Sequence, residues 1–227
     1  MSKALFPDKN VYVSGFDWCK GRTVPVGINS LVRQILCEGH NNALSPADEE
    51  GVRAIELFQS QGLTPEPRKQ KSLDVDGLLL ERWLLKTAIN LSFEGRFHIG
   101  VGMAESEPGK VSPYLLEVAF GRVAFTHLMG AHFLVPVAES LHSPHEIVVI
   151  PLIQGQQIGG FYFELRSQAI FLNLFPGHAP DTLGAISDLP LSKELLTARL
   201  VYRPPRVATV VNGMPSGLVR FHWPSAA

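Results

Sequence analysis

Cysteine is nearly missing from this 227-residue chain: Cys19 and Cys37 are the only two. That excludes a small secreted scaffold stapled by disulfides. The opening stretch MSKALFPDKN has no apolar run of the signal-peptide kind, so a cytoplasmic, reducing location is expected. The most apolar stretch, Leu78 to Leu91, is broken by Glu81, Arg82 and Lys86 and falls short of a membrane span. Charge is sparse too. Charged residues make up 18% and the net charge is −1, which argues against a basic face over the whole molecule but leaves room for a local patch. No G-x-S-x-G, P-loop or H-E-x-x-H occurs, and there is no internal repeat or low-complexity tract. QGQQIGG, Gln154 to Gly160, carries glycines but opens no helix, so it fits a hairpin turn and a close-packed strand start better than a phosphate cradle.

What is present suits a folded core, with 45% hydrophobic residues. The first strand-like run is NVYVSGF. A helix is predicted from Ser45, read as its N-cap, with Pro46 at the first helical position and Asp48 and Glu49 in the first turn. It should stop near Gly62, and TPEPRKQKSLD reads as a polar, proline-bearing connector. GLLLERWLLKTAINLSF is a second, mostly apolar helix. Its Arg82, Lys86 and Asn90 fall within one arc of about 80° and form a stripe facing water or a site.

After Phe93 come β-branched and aromatic runs: YLLEVAFGRVAFTHL, AHFLVPVA, EIVVIPLI, QIGGFYFELRSQAIFLNLF, ARLVYR, RVATVVNG and LVRFHW. FYFELRSQAIFLNLF should be a hairpin turning at Arg166–Ser167–Gln168. The expected fold is α+β: a small helical N-terminal region (1–62), a connector (63–75), and a helix-braced antiparallel β-sheet or sandwich (76–227).

The stretch richest in chemistry is QILCEGHNNALSPADEEG. A thiolate at Cys37 and a neutral imidazole at His40 are both good zinc ligands, and the C-x2-H spacing lets both reach one ion. Cys19 would be a third ligand, and Asp17 or water a fourth. The competing reading makes Cys37 a small buried hydrophobe after Ile35 and Leu36, with His40, Asn41 and Asn42 bonding the turn ahead of Ser45. ESLHSPHE gives a weaker metal candidate in Glu139, His142, His145 and Glu146. His127 and His132 would add to it only if the sheet brought them together. The RPPR bend carries Arg203 and Arg206, which with Arg22 and Arg33 are candidate contacts to nucleic acid or another anion. Within residues 1–36 five basic residues (Lys3, Lys9, Lys20, Arg22, Arg33) outnumber two acidic ones (Asp8, Asp17).

NSLVRQILCEGHNNALSPADEEG resembles the second half of the zinc-knuckle segment of HNH-endonuclease-like bacterial proteins, and GLLLERWLLKTAINL resembles a helix that follows that element in uncharacterised members. The resemblance implies a knuckle-like N-terminal region with Cys37 and His40 as zinc ligands and Asn41 or Asn29 as the family's asparagine. The family's first paired-cysteine element and its histidine-bearing strand have no counterpart in this sequence. The implied function is therefore a degenerate or incomplete nuclease relative, with a metal-binding knuckle and nucleic-acid association. The alternative is a non-catalytic protein-binding or assembly module built on the β-rich domain. A third expectation is a ligand-binding or enzymatic sandwich using the histidines between 127 and 145. No membrane partner is expected.

Overall fold

The computed structural model describes residues 10–27, 37–60, 74–92, 97–100, 111–126, 128–135, 147–166, 168–177, 181–185, 191, 193–211 and 214–224. Among these residues the chain is α+β, with a large mixed sheet, a small second sheet and five α-helices.

The large sheet begins with β1 (Asn10–Val13) and β2 (Val24–Gly27), which pair antiparallel. The β-rich sequence contributes β5 (Gly130–Val135), β6 (Ile147–Gln154), β7 (Gln157–Leu165), β8 (Gln168–Asn173) and β9 (Arg199–Tyr202). The strand order is β2-β1-β6-β7-β8-β5-β9, and the short β4 (His98–Ile99) lies parallel to the start of β7. The expected hairpin is present. Leu165 faces Gln168 across its turn, where Arg166 takes φ 62°. The β6–β7 hairpin turns at Gly155, whose φ of +61° suits glycine. A Cβ on Gly160 would lie 2.8 Å from the Leu172 carbonyl oxygen, so its strand packs there only without a side chain. The sheet is mixed rather than wholly antiparallel, because β1 joins β6 in parallel register, Tyr12 beside Val148 and Val13 beside Val149.

Alternation along the strands separates two cores. Phe161, Phe163 and Leu165 of β7 point to one face, with Val149, Ile170, Leu172 and Phe133. Tyr162, Val148, Ile150, Phe171 and Leu134 point to the other. Coverage on both faces explains why these strands read as almost continuous apolar runs.

The first face is covered by α2 (Ser45–Ser60), α3 (Gly77–Ser92) and the small sheet, made of β10 (Arg206–Val211), β11 (Met214–His222) and β3 (Asp74–Asp76). Phe221 of β11 stacks at a tilt on Phe133, with ring centroids 4.8 Å apart. The second face is covered by α5 (Lys193–Thr197) and a 3-10 turn, Leu183–Ala185, through Leu195 and Leu183.

Sequence explains the helix positions. Asp76 caps α3, its Oδ1 accepting from the backbone N–H of Leu78 and Leu79 at 3.0 Å each. The Asp76 N–H in turn donates to Glu50 of α2 at 2.7 Å, and Arg53 donates both to Glu50 and to the Asp74 carbonyl. Lys86, on the polar stripe of α3, pairs with Asp48 of α2. Residues on both sides of the expected 63–75 connector thus share one sheet and one core.

One predicted strand is a helix. Residues 113–119 form α4 (Pro113–Ala119), with Ser112 at the N-cap and Pro113 in the first turn. Leu115, Val118 and Ala119 recur at helical spacing and are buried, so that period governs the segment.

Candidate functional site

Cys37 immediately precedes α1 (Glu38–Ala43), a short helix ahead of α2. Its backbone is extended (φ −69°, ψ 164°), and its carbonyl accepts the Asn41 N–H at 2.9 Å. That turn brings residue 40 back over residue 37. Cys37 Sγ lies 3.2 Å from His40 Nδ1, and both side chains are exposed. The imidazole also packs against Phe120, the residue capping the C-terminal end of α4, with ring centroids 5.2 Å apart at 52°. Arg122 lies 5.9 Å from the Phe120 ring and pairs with Glu117 at 2.7 Å. Asn41 and Asn42 are part of α1 rather than of an irregular loop, and α2 begins at Ser45. Of the two readings of Cys37, the buried one does not hold: the thiol is in solvent reach.

A thiolate and an imidazole nitrogen bound to one tetrahedral zinc lie about 3.6 Å apart, given Zn–S near 2.3 Å and Zn–N near 2.0–2.1 Å. The observed 3.2 Å is a few tenths shorter, a gap that small rotations of two exposed side chains would close. As placed, the two side chains hydrogen-bond each other, and a shared ion would require both to turn toward it.

Cys19 belongs to a different environment. It ends the 3-10 turn Asp17–Cys19, is buried, and donates from Sγ to the Val13 carbonyl at 3.5 Å. Burial pushes its thiol up, against a smaller downward pull from the Phe16 backbone. Among the described residues no three His, Cys, Asp or Glu side chains gather to hold a metal ion. Arg33, Asn29, His127, Glu139, His142, His145 and Glu146 lie outside the described residues, as does the Asp17 side chain. Of the histidines between 127 and 145, His132 is therefore the one whose surroundings are described.

The four arginines do not share one environment. Arg22 and Arg206 are exposed. Arg203, expected at the RPPR bend to meet an external anion, turns inward to Glu81 of α3, with Nε and a terminal nitrogen donating at 2.9 and 2.8 Å. Glu81 is 2% exposed and also accepts the Ala131 N–H at 2.8 Å. Burial pushes the Glu81 carboxyl up against the opposing pull of the Arg203 hydrogen bonds and charge. Burial also pulls the Arg203 guanidinium down, but Glu81 outweighs it and holds the group above its ordinary value. The guanidinium lies over Tyr202 and Trp223, at 5.1 and 5.6 Å from the ring centres.

His132 of β5 is next to this pair, buried between Tyr202 and Phe171. Its Nδ1 contacts the Gly130 carbonyl at 3.2 Å, and Nε2 has no hydrogen-bond partner among the described residues. Burial lowers its pKa to about 4, the Gly130 contact raising and the Arg203 charge lowering it further. On the same face of the sheet, the buried Tyr162 hydroxyl donates to Glu164 at 3.1 Å. Burial, and then the Glu164 charge, push that phenol well above its ordinary value.

In the sequence Glu81 stands out only as a charge interrupting an apolar stretch and His132 only as a conditional extra metal ligand, and neither is placed beside Arg203. One signal pointed to the first: an acid inside an apolar helix needs a buried cation. Nothing local marks its partner.

Comparison with protein-family models, with curated proteins and with solved structures finds no match for this chain. No helix among the described residues is long and apolar enough to cross a membrane.

Proposed function

We propose that this chain is a metal-binding relative of the HNH-like proteins that works by binding rather than by catalysis, and that it takes zinc at the Cys37–His40 turn. The observation that carries this is the 3.2 Å convergence of a solvent-reachable thiol and an imidazole nitrogen, braced by Phe120. Soft sulfur with imidazole favours zinc over magnesium or calcium, which take oxygen donors. The binding role is supported by the fate of the strongly perturbed groups. Glu81, Arg203 and Tyr162 are committed to internal hydrogen bonds, and the His132 ring is packed between Tyr202 and Phe171. Nucleic-acid association would draw on the exposed Arg22 and Arg206.

Metal analysis of the purified chain tests the reading, followed by cobalt(II) titration with thiolate-to-cobalt absorption as the readout. Cys37→Ala and His40→Ala should each abolish that absorption, while Cys19→Ala, if it folds, should leave it intact. A native chain that takes up neither ion would overturn the proposal. A filter-binding titration across salt concentrations tests the nucleic-acid component, with a steep salt slope expected.

A further inference from the structure

One cation on the polar stripe of α3 has no anion. Arg82, Lys86 and Arg203 are the half-buried lysine and arginine side chains among the described residues. Lys86 pairs with Asp48 and Arg203 with Glu81, whereas no described hydrogen bond or ion pair reaches the Arg82 guanidinium. Glu81 is next to it in sequence but already engaged. Its Oε1 accepts from the Ala131 N–H and Arg203 Nε, and its Oε2 from a terminal nitrogen of Arg203. Burial raises that carboxyl, and of the two guanidinium charges opposing the rise Arg203 acts more strongly than Arg82. Two guanidinium groups therefore stand around one carboxylate, and one positive charge is left over. The end of α4 does not take it up, because the carbonyls of Leu116, Glu117 and Val118 accept from the N–H groups of Phe120, Arg122 and Gly121. The guanidinium lies against Gly121, where a Cβ would come to 2.3 Å from its carbon, so the chain leaves it room only by having glycine there.

Arg82 and Glu81 line a shallow recess of about 220 Å³, open to solvent, whose other walls are apolar: Leu78, Val118, Val123, Ala124 and Phe125. We infer that this recess binds a small monocarboxylate, its two oxygens taken by the Arg82 guanidinium and its hydrocarbon tail laid on Leu78, Val123 and Phe125. The planar fork of an arginine matches a carboxylate with two parallel hydrogen bonds. One excess positive charge calls for one negative charge, and the Glu81 carboxylate in the same wall repels a second, which disfavours a phosphate dianion. The apolar walls favour a tail over a second polar group. The recess is smaller than the roughly 300–1,000 Å³ of sites for drug-sized ligands, so the acid is short and its affinity modest. This site uses neither Cys37 nor His40 and stands or falls apart from the zinc reading.

The test is an NMR titration of the nitrogen-15-labelled chain with sodium valerate, in chelator and at constant ionic strength, following the Arg82 Nε–H and the backbone amides of residues 78–82 and 121–125. A saturable shift confined to these groups is expected at about millimolar valerate. Valeramide, which has the same tail without the charge, and inorganic phosphate, which has the charge without the tail, should give no saturable shift there. Arg82→Gln should weaken valerate binding at least tenfold while the amide spectrum elsewhere stays that of the folded chain. Val123→Asp, at a position 42% exposed, leaves Arg82 in place and should block binding by putting a carboxylate on the wall. Valerate shifts no different from those of sodium chloride would overturn the inference. So would equal binding of valeramide, equal binding of phosphate, or undiminished binding by Arg82→Gln.

Discussion

Glu81 and Arg203 are separated by 122 positions in sequence and meet through two hydrogen bonds of 2.9 and 2.8 Å beneath the end of β9. Arg203 holds a left-handed backbone (φ 40°) while doing so, a conformation an arginine adopts only when its surroundings enforce it. The pair ties α3 to the edge of the large sheet, and the Ala131 N–H ties the same carboxylate to β5.

Removing one partner leaves the other charge buried, so Glu81→Ala should destabilise the protein by about 3–5 kcal/mol in urea unfolding. Replacing both, as Glu81→Leu with Arg203→Met, should recover most of that loss. If the double variant is as unstable as the single one, the ion pair is not the source of the effect.

His132 makes stability depend on acid. Its native pKa of about 4 lies below the roughly 6.5 of an unfolded histidine, so below pH 6.5 the unfolded chain binds a proton that the folded chain refuses. Stability is therefore complete above about pH 6.5 and falls as pH drops toward 4, by up to about 3 kcal/mol. Thermal unfolding between pH 7 and 4.5 measures the slope. His132→Phe should flatten it.

Gly51 in the middle of α2 offers a test where two rules give opposite signs. Helix propensity says Gly51→Ala should stabilise by about 1 kcal/mol. A Cβ at that position would come within 2.4 Å of the Trp83 ring of α3, however, which forces the two helices apart. Contact should win, with a net loss of about 1–3 kcal/mol, read from the denaturant midpoint.

The two cysteines should separate cleanly by thiol counting. Cys37 is exposed and Cys19 is buried at 2%. A small disulfide reagent should titrate one thiol in the native protein and a second only in denaturant. Bound zinc should protect the first.

The parts of this structure that were legible in the sequence are those written locally. The hairpin at Arg166 is one, because two apolar arms flank a polar turn. Cys37 and His40 are another, because three positions along a turn bring side chains to one side. Residues 114–119 misled, because YLLEVA fits a buried strand as well as a helix; Ser112 and Pro113 carried the helix signal. Glu81 with Arg203, and β1 with β6, could not be read, because no local pattern names a partner more than a hundred positions away.

That parallel seam between β1 and β6 governs how the molecule can be assembled during synthesis. Tyr12 and Val13 leave the ribosome well before the backbone groups they must meet, at Val148 and Val149. The β1–β2 hairpin must wait, paired only with itself, until β6 has been translated. Closing so long a loop is entropically costly and slow. A nascent chain stalled before residue 148 would carry the first two strands with no sheet to join.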